Sequence, residues 1–406
     1  MSATGSPGPH HLVATRPAAA KAIRARQGFF SRFRMMGAVG LKMMFHSKLK
    51  LIGTLLGVVF AVVLSNQQAG TFLGLIYKNV MFVRNTDCDL WIMPRSTEVV
   101  GPGKLSTSAL SQALVTKGVA DAAPILIGGA NVLLPNGGFQ QVTLVGTKYP
   151  NYRGGPWNIV AGDRGALARP DTLIFEDSER ELLGGLNLGS VREVNGRRVV
   201  VGGFTWGLIP FGPSYAFADF EVARELLKTP QDEVAFILVK LKPGADAAAV
   251  KDELSRNLPD AKVFDRKDFE ASVLKFILTK TAIGITFGTS TVFGLIVGFV
   301  IVSLSMFSAV VDNIREFGTL KAIGVTNLDL SMLLFVQSVA YALLGSLVGL
   351  SLVAQMAKGI RSAKLALNTP PQLTLGTVVV MIIMCVFASS LALLRLRKVE
   401  PAMVFR

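Results

Sequence analysis

The side chains that most often carry catalysis or bind metals are sparse in this sequence and are not spaced for either task. Its three histidines are His10, His11 and His46, and their spacing matches no metal-binding motif. Cys88 and Cys385 fall in segments predicted below to lie outside and inside a membrane, so they cannot pair. The motifs G-x-x-x-x-G-K-[ST], G-x-S-x-G, H-E-x-x-H and C-x-x-C do not occur. We therefore expect no catalytic residue, metal site or cofactor on this chain, and no enzymatic activity of its own.

Charged residues suited to a protein interface are concentrated in one short segment, 312–328. Within it, residues 312–326 combine charged side chains (Asp312, Arg315, Glu316, Lys321) with apolar ones at helical spacing (Ile314, Phe317, Leu320, Ile323). Gly324 is suited to end such a helix, and Thr326 can cap the next one. The pattern predicts an amphipathic helix that docks on a cytosolic partner. The alternative, to which we give equal weight, is that this segment is a solvated loop that only connects two spans.

Arg315 and Glu316 are the residues of this segment that most favour an interface, because ionic contacts fix the register and choice of a partner. An intrachain role is the alternative for Glu316. In that case its carboxylate would pair with the neighbours of Arg315 or with the basic N-terminal segment around Arg32 and Arg34.

The segment 312–328 must be positioned by the structure that four long uncharged blocks of the sequence form. These blocks are residues 51–77, 281–311, 330–357 and 372–394, and none contains Asp, Glu, Lys, Arg or His. About 20 apolar residues cross roughly 30 Å of hydrocarbon, so each block predicts a transmembrane helix. Ion-coupled transporters usually carry ionisable residues in their spans, so ion coupling through this bundle is not expected.

The basic residues predict the orientation of the chain. Residues 1–50 contain nine Lys and Arg and no acid, whereas residues 78–280 contain 24 basic and 23 acidic residues. Basic flanks stay in the cytoplasm, and long domains are translocated largely regardless of charge. We therefore expect a multi-pass membrane protein, with both termini cytoplasmic and residues 78–280 on the other side of the membrane. The basic loop 358–371 is a mild exception to this rule.

The net charge of +15 does not indicate nucleic-acid binding, because no basic stripe with interleaved aromatic residues occurs.

The first residues have the composition of a disordered tail. Residues 29–47 have the pattern of an interfacial amphipathic helix on the inner leaflet, or of a simple basic topology anchor. The predicted segments are a cytoplasmic tail (1–28), the interfacial helix (29–47), span 1 (48–77), the periplasmic domain (78–280), span 2 (281–311), the cytoplasmic loop (312–328), span 3 (329–357), a periplasmic loop (358–371), span 4 (372–394) and a cytoplasmic tail (395–406).

The periplasmic domain is predicted to be α/β (α+β). Apolar runs at 122–134 and 139–147 flank a Pro-Asn-Gly-Gly turn, which is a hairpin signal. A strand–helix–strand order at both ends predicts one α/β subdomain, built from 85–147 and 232–268, with 148–231 as a β-rich insertion. The two spans that border the domain are longer than the membrane requires, so we expect them to project outward as a helical stalk.

The predicted spans contain glycine pairs at small-xxx-small spacing, which lets helix backbones approach closely. Such pairs predict helix packing within the chain or in a dimer. They are Gly284 and Gly288, Gly294 and Gly298, and Gly345 and Gly349.

Residues 315–324 (REFGTLKAIG) resemble the signature of the MacB/FtsX-type ABC transporter permeases. Residues 397–402 (RKVEPA) resemble their closing tail. The layout is also similar, with an amphipathic N-terminal helix, one span, a large external domain and three further spans. The chain looks closest to stand-alone permeases of the DevC type, and is unlike MacB itself, which carries its ATPase on the same chain.

The resemblance implies a type VII, MacB-like architecture: a membrane α-helical fold with four transmembrane helices and an extracytoplasmic α/β domain between the first two. It implies a permease homodimer or heterodimer in the lipid bilayer of the bacterial inner membrane, with residues 78–280 in the periplasm and with two cytosolic ABC ATPase subunits that hold ATP and Mg. A periplasmic adaptor protein commonly completes such an assembly. By match to the signature, the residues expected to couple to the ATPase are Arg315, Glu316, Phe317, Gly318, Leu320, Lys321 and Gly324.

For function, the resemblance favours export driven by motion that the ATPases transmit to the periplasmic domain. Two alternatives follow from the same family. One is extraction of lipoproteins from the membrane, and the other is a transmembrane signalling platform that regulates cell-wall hydrolases.

Overall fold

A computed structural model of the chain describes residues 29–46, 48–210, 212–359 and 368–396. The predicted tail 1–28 and the tail motif 397–402 lie outside the described residues, as does most of the loop 358–371. The chain forms two compact units. The membrane unit comprises Met1–Asn66, Phe293–Val353 and Pro371–Arg406, and the external unit comprises Gln67–Val292 and Ala354–Pro370.

The described residues form ten α-helices. In chain order they are α1 (Phe29–His46), α2 (Lys48–Asn85), α3 (Ser108–Val115), α4 (Phe220–Leu227), α5 (Ala247–Asn257), α6 (Arg266–Lys280), α7 (Ala282–Asp312), α8 (Ile314–Ala322), α9 (Asn327–Gly359) and α10 (Pro371–Leu396).

The strands belong to the external unit. They are β1 (Leu90–Pro94), β2 (Leu105–Ser106), β3 (Val119–Leu133), β4 (Phe139–Thr147), β5 (Ile159–Gly162), β6 (Thr172–Glu176), β7 (Val191–Val194), β8 (Arg197–Thr205), β9 (Tyr215–Asp219), β10 (Glu233–Val234), β11 (Phe236–Leu241) and β12 (Ala261–Asp265).

Within the described part of the chain, four helices, α2, α7, α9 and α10, are long and apolar enough to cross a membrane by length and composition. They coincide with the four uncharged blocks, so the predicted spans are confirmed as helices. The first is longer than its predicted limit of residue 77, because α2 has 38 residues and ends at Asn85. Such a helix is about 57 Å long at about 1.5 Å per residue. The sequence from 75 to 85 offers no Gly or Pro that would end it earlier.

A mixed sheet dominates the external unit, with strand order β12-β1-β11-β3-β4-β9-β6-β8-β5 and with β7 beside β3 and β8. The predicted hairpin is confirmed as β3 and β4, which pair antiparallel from Ile125↔Thr147 to Leu133↔Phe139. Its turn uses Gly137 at φ +82°, a conformation that glycine adopts without steric cost. Strands β5 to β9 come from the segment predicted as an insertion. They share the sheet of the other strands, since β9 pairs parallel with β4.

Both faces of the sheet are buried because successive side chains of a strand point to opposite faces. Along β1, Leu90 and Ile92 enter one apolar cluster, and Trp91 and Met93 enter the other. The first cluster is covered by α3, α4 and α5. The second is covered by the end of α2 and by α6, which contributes Phe269, Val273 and Ile277.

Candidate functional site: the α8 surface of the membrane unit

One face of helix α8 is apolar and packs against other helices of the membrane unit. Phe317 is 2% exposed and Gly318 is buried. Ile314 and Leu320, one turn away on either side, are partly buried against the same cluster. That cluster joins α8 to three other helices through Met36 of α1, Val310 of α7, and Leu330, Leu333 and Leu334 of α9. The apolar spacing of the sequence therefore fixes how α8 is rotated about its axis.

The opposite face of α8 is exposed and charged. Arg315 and Glu316 are both exposed, as are Thr319 and Ala322 one and two turns later. Among the described residues, the side chains of Arg315 and Glu316 form no ion pair or hydrogen bond with each other or with a neighbour. Ile323, which follows the helix, is 77% exposed. The surface thus offers a cation, an anion and a large apolar side chain together.

The signature residues divide between these two faces. Phe317, Gly318 and Leu320 hold the helix in place, and Lys321 is half-buried beside them. Arg315 and Glu316 face outward. Arg315 and Glu316 are the exposed members of the signature and the first candidates for contact with a partner, whereas the buried residues can act by positioning them.

Gly324 ends α8 in the way the sequence predicts. Its φ is +100°, a conformation that suits glycine. Its N–H donates to the Lys321 carbonyl at 2.9 Å, and the N–H of Val325 donates to the Leu320 carbonyl at 3.0 Å. These two bonds define a Schellman motif, and Leu320 and Val325 pack in the same apolar cluster.

The first turn of α9 is capped by Thr326 and Asp329. The Thr326 N–H and hydroxyl donate to Asp329 Oδ2 at 3.0 and 2.6 Å, and the Asp329 N–H donates back to Thr326 Oγ1 at 3.3 Å. This reciprocal arrangement is a capping box. The predicted cap at Thr326 is confirmed, and only three residues, Ile323, Gly324 and Val325, separate the end of α8 from it.

Asp329 also contacts the N-terminal helix. Arg32 Nη2 of α1 lies 3.5 Å from Asp329 Oδ2, and the Asp329 side chain is only 7% exposed. The sequence suggested Glu316 as the acid that could pair with Arg32; the structure corrects this, because the partner of Arg32 is Asp329. The Thr-x-x-Asp spacing at 326–329 was the signal that could have singled out Asp329.

Close backbone packing adds a second attachment of α1. A Cβ on Gly40 would lie 3.1 Å from the Leu333 carbonyl oxygen, and a Cβ on Gly37 would lie 3.3 Å from Val336 Cγ2. Next to this contact, Gln337 Nε2 donates to the Gly40 carbonyl at 2.8 Å. The helix predicted at 29–47 is therefore fastened along α9, while its basic residues Arg34 and Lys42 remain exposed.

The glycine pairs of the spans have different surroundings. A Cβ on Gly345 or Gly349 would lie 2.5 Å from Val58 Cγ1 or 2.7 Å from Val62 Cγ1, so this pair packs α9 against α2 of the same chain. Gly298 likewise faces Ala61 at 3.0 Å, and Gly294 is near Leu64 at 3.7 Å.

The remaining pair, Gly284 and Gly288, does not act as one motif within the chain. A Cβ on Gly284 would lie 2.4 Å from the Ile277 carbonyl oxygen at the end of α6, whereas a Cβ on Gly288 would meet open space. Gly284 therefore permits the tight junction between α6 and α7.

Within the described ranges, no three His, Cys, Asp or Glu side chains come together in a way that could hold a metal ion.

Two family models match the chain. The FtsX-like permease C-terminal domain matches residues 281–401. This range includes α7 to α10 and the whole α8 surface. The MacB-like periplasmic core domain matches residues 51–257, which is just over half of the 406 residues.

One relative is an uncharacterized ABC transporter permease of Methanocaldococcus jannaschii, which is 31% identical over 134 residues. The match covers 31% of this chain and 33% of the relative, so the chain spans about a third of the length of that protein.

Two solved structures are similar to part of this chain. The periplasmic region of MacB from Actinobacillus actinomycetemcomitans has 13% identity and a TM-score of 0.37, over 49% of this chain and 97% of that structure. The extracellular domain of the noncanonic ABC-type transporter YknZ from Gram-positive bacteria has 14% identity and a TM-score of 0.32, over 44% of this chain and 99% of that structure. Because the two family models match these residues, this chain belongs to the MacB/FtsX-type family of ABC transporter permeases.

Proposed function

We propose that this permease works with a separate cytosolic ABC ATPase and that the exposed face of α8 is where the ATPase docks. The observation that carries the proposal is the pair Arg315 and Glu316, which is exposed on a helix whose other face is fixed by Phe317 and Gly318. A rigidly held helix with outward charges can transmit a push without bending, and its charges can set the register of a partner.

We propose further that two copies of the permease, identical or different, bind two ATPase subunits, which hold the ATP and Mg. Helices α2, α7 and α9 each supply residues to both units. Of these, α2 and α7 border the sheet of the external unit in the sequence, so they are the segments through which we propose that motion at α8 is transmitted. The absence of ionisable residues from the four uncharged blocks favours such mechanical transmission over passage of a charged substrate through the spans.

We place the chain in the bacterial inner membrane with α8 in the cytoplasm, from the excess of basic residues before residue 51. Export together with a periplasmic adaptor is the role we propose for the assembly.

Charge reversal at Glu316 tests the docking site. Glu316→Lys should leave the permease inserted in the membrane at its normal level. It should reduce copurification of the cognate ATPase at least about tenfold, because a like charge opposite a partner's cation is costly. Permease-stimulated ATP hydrolysis should fall with it. Ile323→Asn, which removes an exposed apolar contact, should act in the same direction.

Glu193→Lys is the matched control, because Glu193 is an exposed acid of β7 in the external unit. Normal copurification and normal stimulated hydrolysis in Glu316→Lys would refute the docking site. A loss of permease abundance alone would indicate a structural role for Glu316 instead.

A further inference from the structure

A groove of about 340 Å³ lies between the first turns of α2 and the last turns of α7. This volume lies within the range of roughly 300–1,000 Å³ typical of small-molecule sites. Its lining combines one cation, one anion and several hydroxyl groups, from Lys50, Gly53, Thr54, Leu304, Ser305, Ser308 and Asp312.

The groove lies where two membrane spans end. Lys50 directly precedes the uncharged block 51–77, and Asp312 directly follows the block 281–311. The end of an apolar span marks the level of the lipid headgroups. The surrounding surface is apolar, since Ile52, Leu56 and Leu304 are 53%, 63% and 68% exposed. Polar lining within an apolar surface at this level is suited to a lipid headgroup.

The position of Lys50 is fixed by one hydrogen bond. Its Nζ lies 3.1 Å from Asn313 Oδ1. An ammonium group has three donors, so Lys50 can also donate to a ligand oxygen in the groove. The hydroxyl-bearing residues Ser305 and Ser308 lie on the facing turn of α7 and complete a surface suited to a phosphate group.

Asp312 decides which phospholipid the groove prefers. Its carboxylate is part of the same lining as Lys50, so the groove contains one negative and one positive charge. An anionic headgroup such as that of phosphatidylglycerol offers the carboxylate no cation, and a choline headgroup cannot donate a hydrogen bond to it. A primary ammonium satisfies Asp312 while the phosphate of the same headgroup satisfies Lys50.

We propose that this groove binds the headgroup of an aminophospholipid, with the phosphate on Lys50, Ser305 and Ser308 and the ammonium on Asp312. Gly53 keeps the groove open. A Cβ at this helical position would meet no atom within 4 Å, so a larger side chain would fill the groove without colliding with the protein. The proposal is independent of ATPase docking on α8.

The test uses the purified full-length chain in detergent, with native mass spectrometry and thermal unfolding as readouts. The probes are phosphatidylethanolamine, phosphatidylglycerol, phosphatidylcholine and soluble phosphoethanolamine. Wild-type protein should retain phosphatidylethanolamine about tenfold better than phosphatidylcholine, the ratio expected for one charge-assisted hydrogen bond. Asp312→Asn should abolish this preference, and Lys50→Gln should weaken binding of all three lipids.

The Gly53→Leu variant distinguishes a loss of lipid binding caused by a filled groove from one caused by misfolding. It should lose lipid retention while unfolding at or above the wild-type temperature, because leucine favours a helix more than glycine does. Lys48→Gln is the matched control, since Lys48 is exposed two residues before Lys50 on the same helix, and it should retain lipid as wild type does.

Three results would overturn the proposal. The first is equal retention of phosphatidylethanolamine by wild type and Gly53→Leu. The second is equal stabilisation by soluble phosphoethanolamine at the same concentration, which would assign the groove to a soluble amino-phosphate. The third is a change in the dimer fraction of Lys50→Gln or Gly53→Leu without a change in lipid retention. That result would make this face an interface between copies of the chain.

Discussion

The guanidinium of Arg32 lies 3.5 Å from the carboxylate of Asp329, 297 residues later in the chain. The same Asp329 oxygen accepts hydrogen bonds from the Thr326 N–H and hydroxyl. One buried carboxylate therefore joins the N-terminal helix α1 to the junction between α8 and α9. Motion of α8 should reach α1 through this contact and through the adjacent bond from Gln337 to the Gly40 carbonyl.

Removing Asp329 should destabilise the membrane unit more than removing Arg32. Asp329→Ala eliminates the capping box and leaves the half-buried Arg32 guanidinium without this carboxylate, at a cost of about 1–2 kcal/mol of unfolding free energy. Arg32→Gln removes an ion pair that is 30% exposed on the arginine side but leaves the cap intact, so its cost should be below about 1 kcal/mol. Thermal unfolding of the purified chain in detergent measures both.

Arg34→Gln is the control for Arg32→Gln, because Arg34 is exposed on the same helix and its loss should not change the unfolding temperature. Equal destabilisation by Asp329→Ala and Arg32→Gln would mean that the cap contributes nothing, contrary to the capping-box assignment.

Substituting Gly345 should disturb the packing of α9 on α2. Gly345→Ala places a methyl group 2.5 Å from Val58 Cγ1, and overpacking of this kind costs about 1–3 kcal/mol. The double variant Gly345→Ala with Val58→Ala should recover part of the loss, because the obstructing side chain is gone. Thermal unfolding is again the measurement.

Gly376→Ala is the matched control for this packing argument. A Cβ on Gly376 meets no atom within 4 Å, so this variant should be neutral or slightly stabilised. If Gly345→Ala unfolds at the wild-type temperature while changing the dimer fraction, the pair Gly345 and Gly349 packs between copies and the intrachain assignment is wrong.

The local features of the α8 region could be predicted from the sequence because they depend on neighbouring residues. Gly324 ends α8 and Thr326 caps α9 through hydrogen bonds that reach at most five residues along the chain. The pairing of Arg32 with Asp329 could not be predicted in the same way. It depends on how α1 packs on α9, and several acids of similar local pattern, Glu316 among them, were equally available.

The same division holds for the external unit. The β3–β4 hairpin follows from its Asn-Gly turn and two apolar runs. The parallel pairing of Thr143 in β4 with Tyr215 in β9 joins residues 72 positions apart along the chain. Neither strand alternates clearly between apolar and polar residues, so periodicity does not specify their register, and tertiary packing decides it.

Cys88 should be unreactive in the folded protein. Burial raises the pKa of its thiol to about 12 from an ordinary value of 9.0, and the thiolate is the reacting form. In a Cys385→Ala background, alkylation by iodoacetamide at pH 8 should therefore be about 1,000-fold slower for the folded chain than for the chain unfolded in urea. Comparable rates in the two states would show that the Cys88 environment opens readily.

The raised pKa of Cys88 also fixes the sign of a pH effect on stability. Between pH 9 and about pH 12 the folded state keeps the thiol proton and the unfolded state loses it. The unfolded state thus binds fewer protons, and the free energy of unfolding falls as the pH rises through this window. Cys88→Ala should make that fall shallower in a series of urea titrations, whereas an unchanged slope would contradict the assignment.

The orientation of the chain is tested with single cysteines in a Cys88→Ala, Cys385→Ala background. Asn151 and Asn187 are exposed residues of the external unit, and Lys42 is exposed on α1. A membrane-impermeant maleimide added to spheroplasts should label Asn151→Cys and Asn187→Cys, and should label Lys42→Cys only after the membrane is opened. A reporter enzyme active only in the cytoplasm should work when fused after Arg406. The expected orientation depends on the basic residues that precede the first span. The reverse labelling pattern would have Lys42→Cys reactive and Asn187→Cys protected in intact spheroplasts. That result would place α8 outside the cell and remove the basis for ATPase docking.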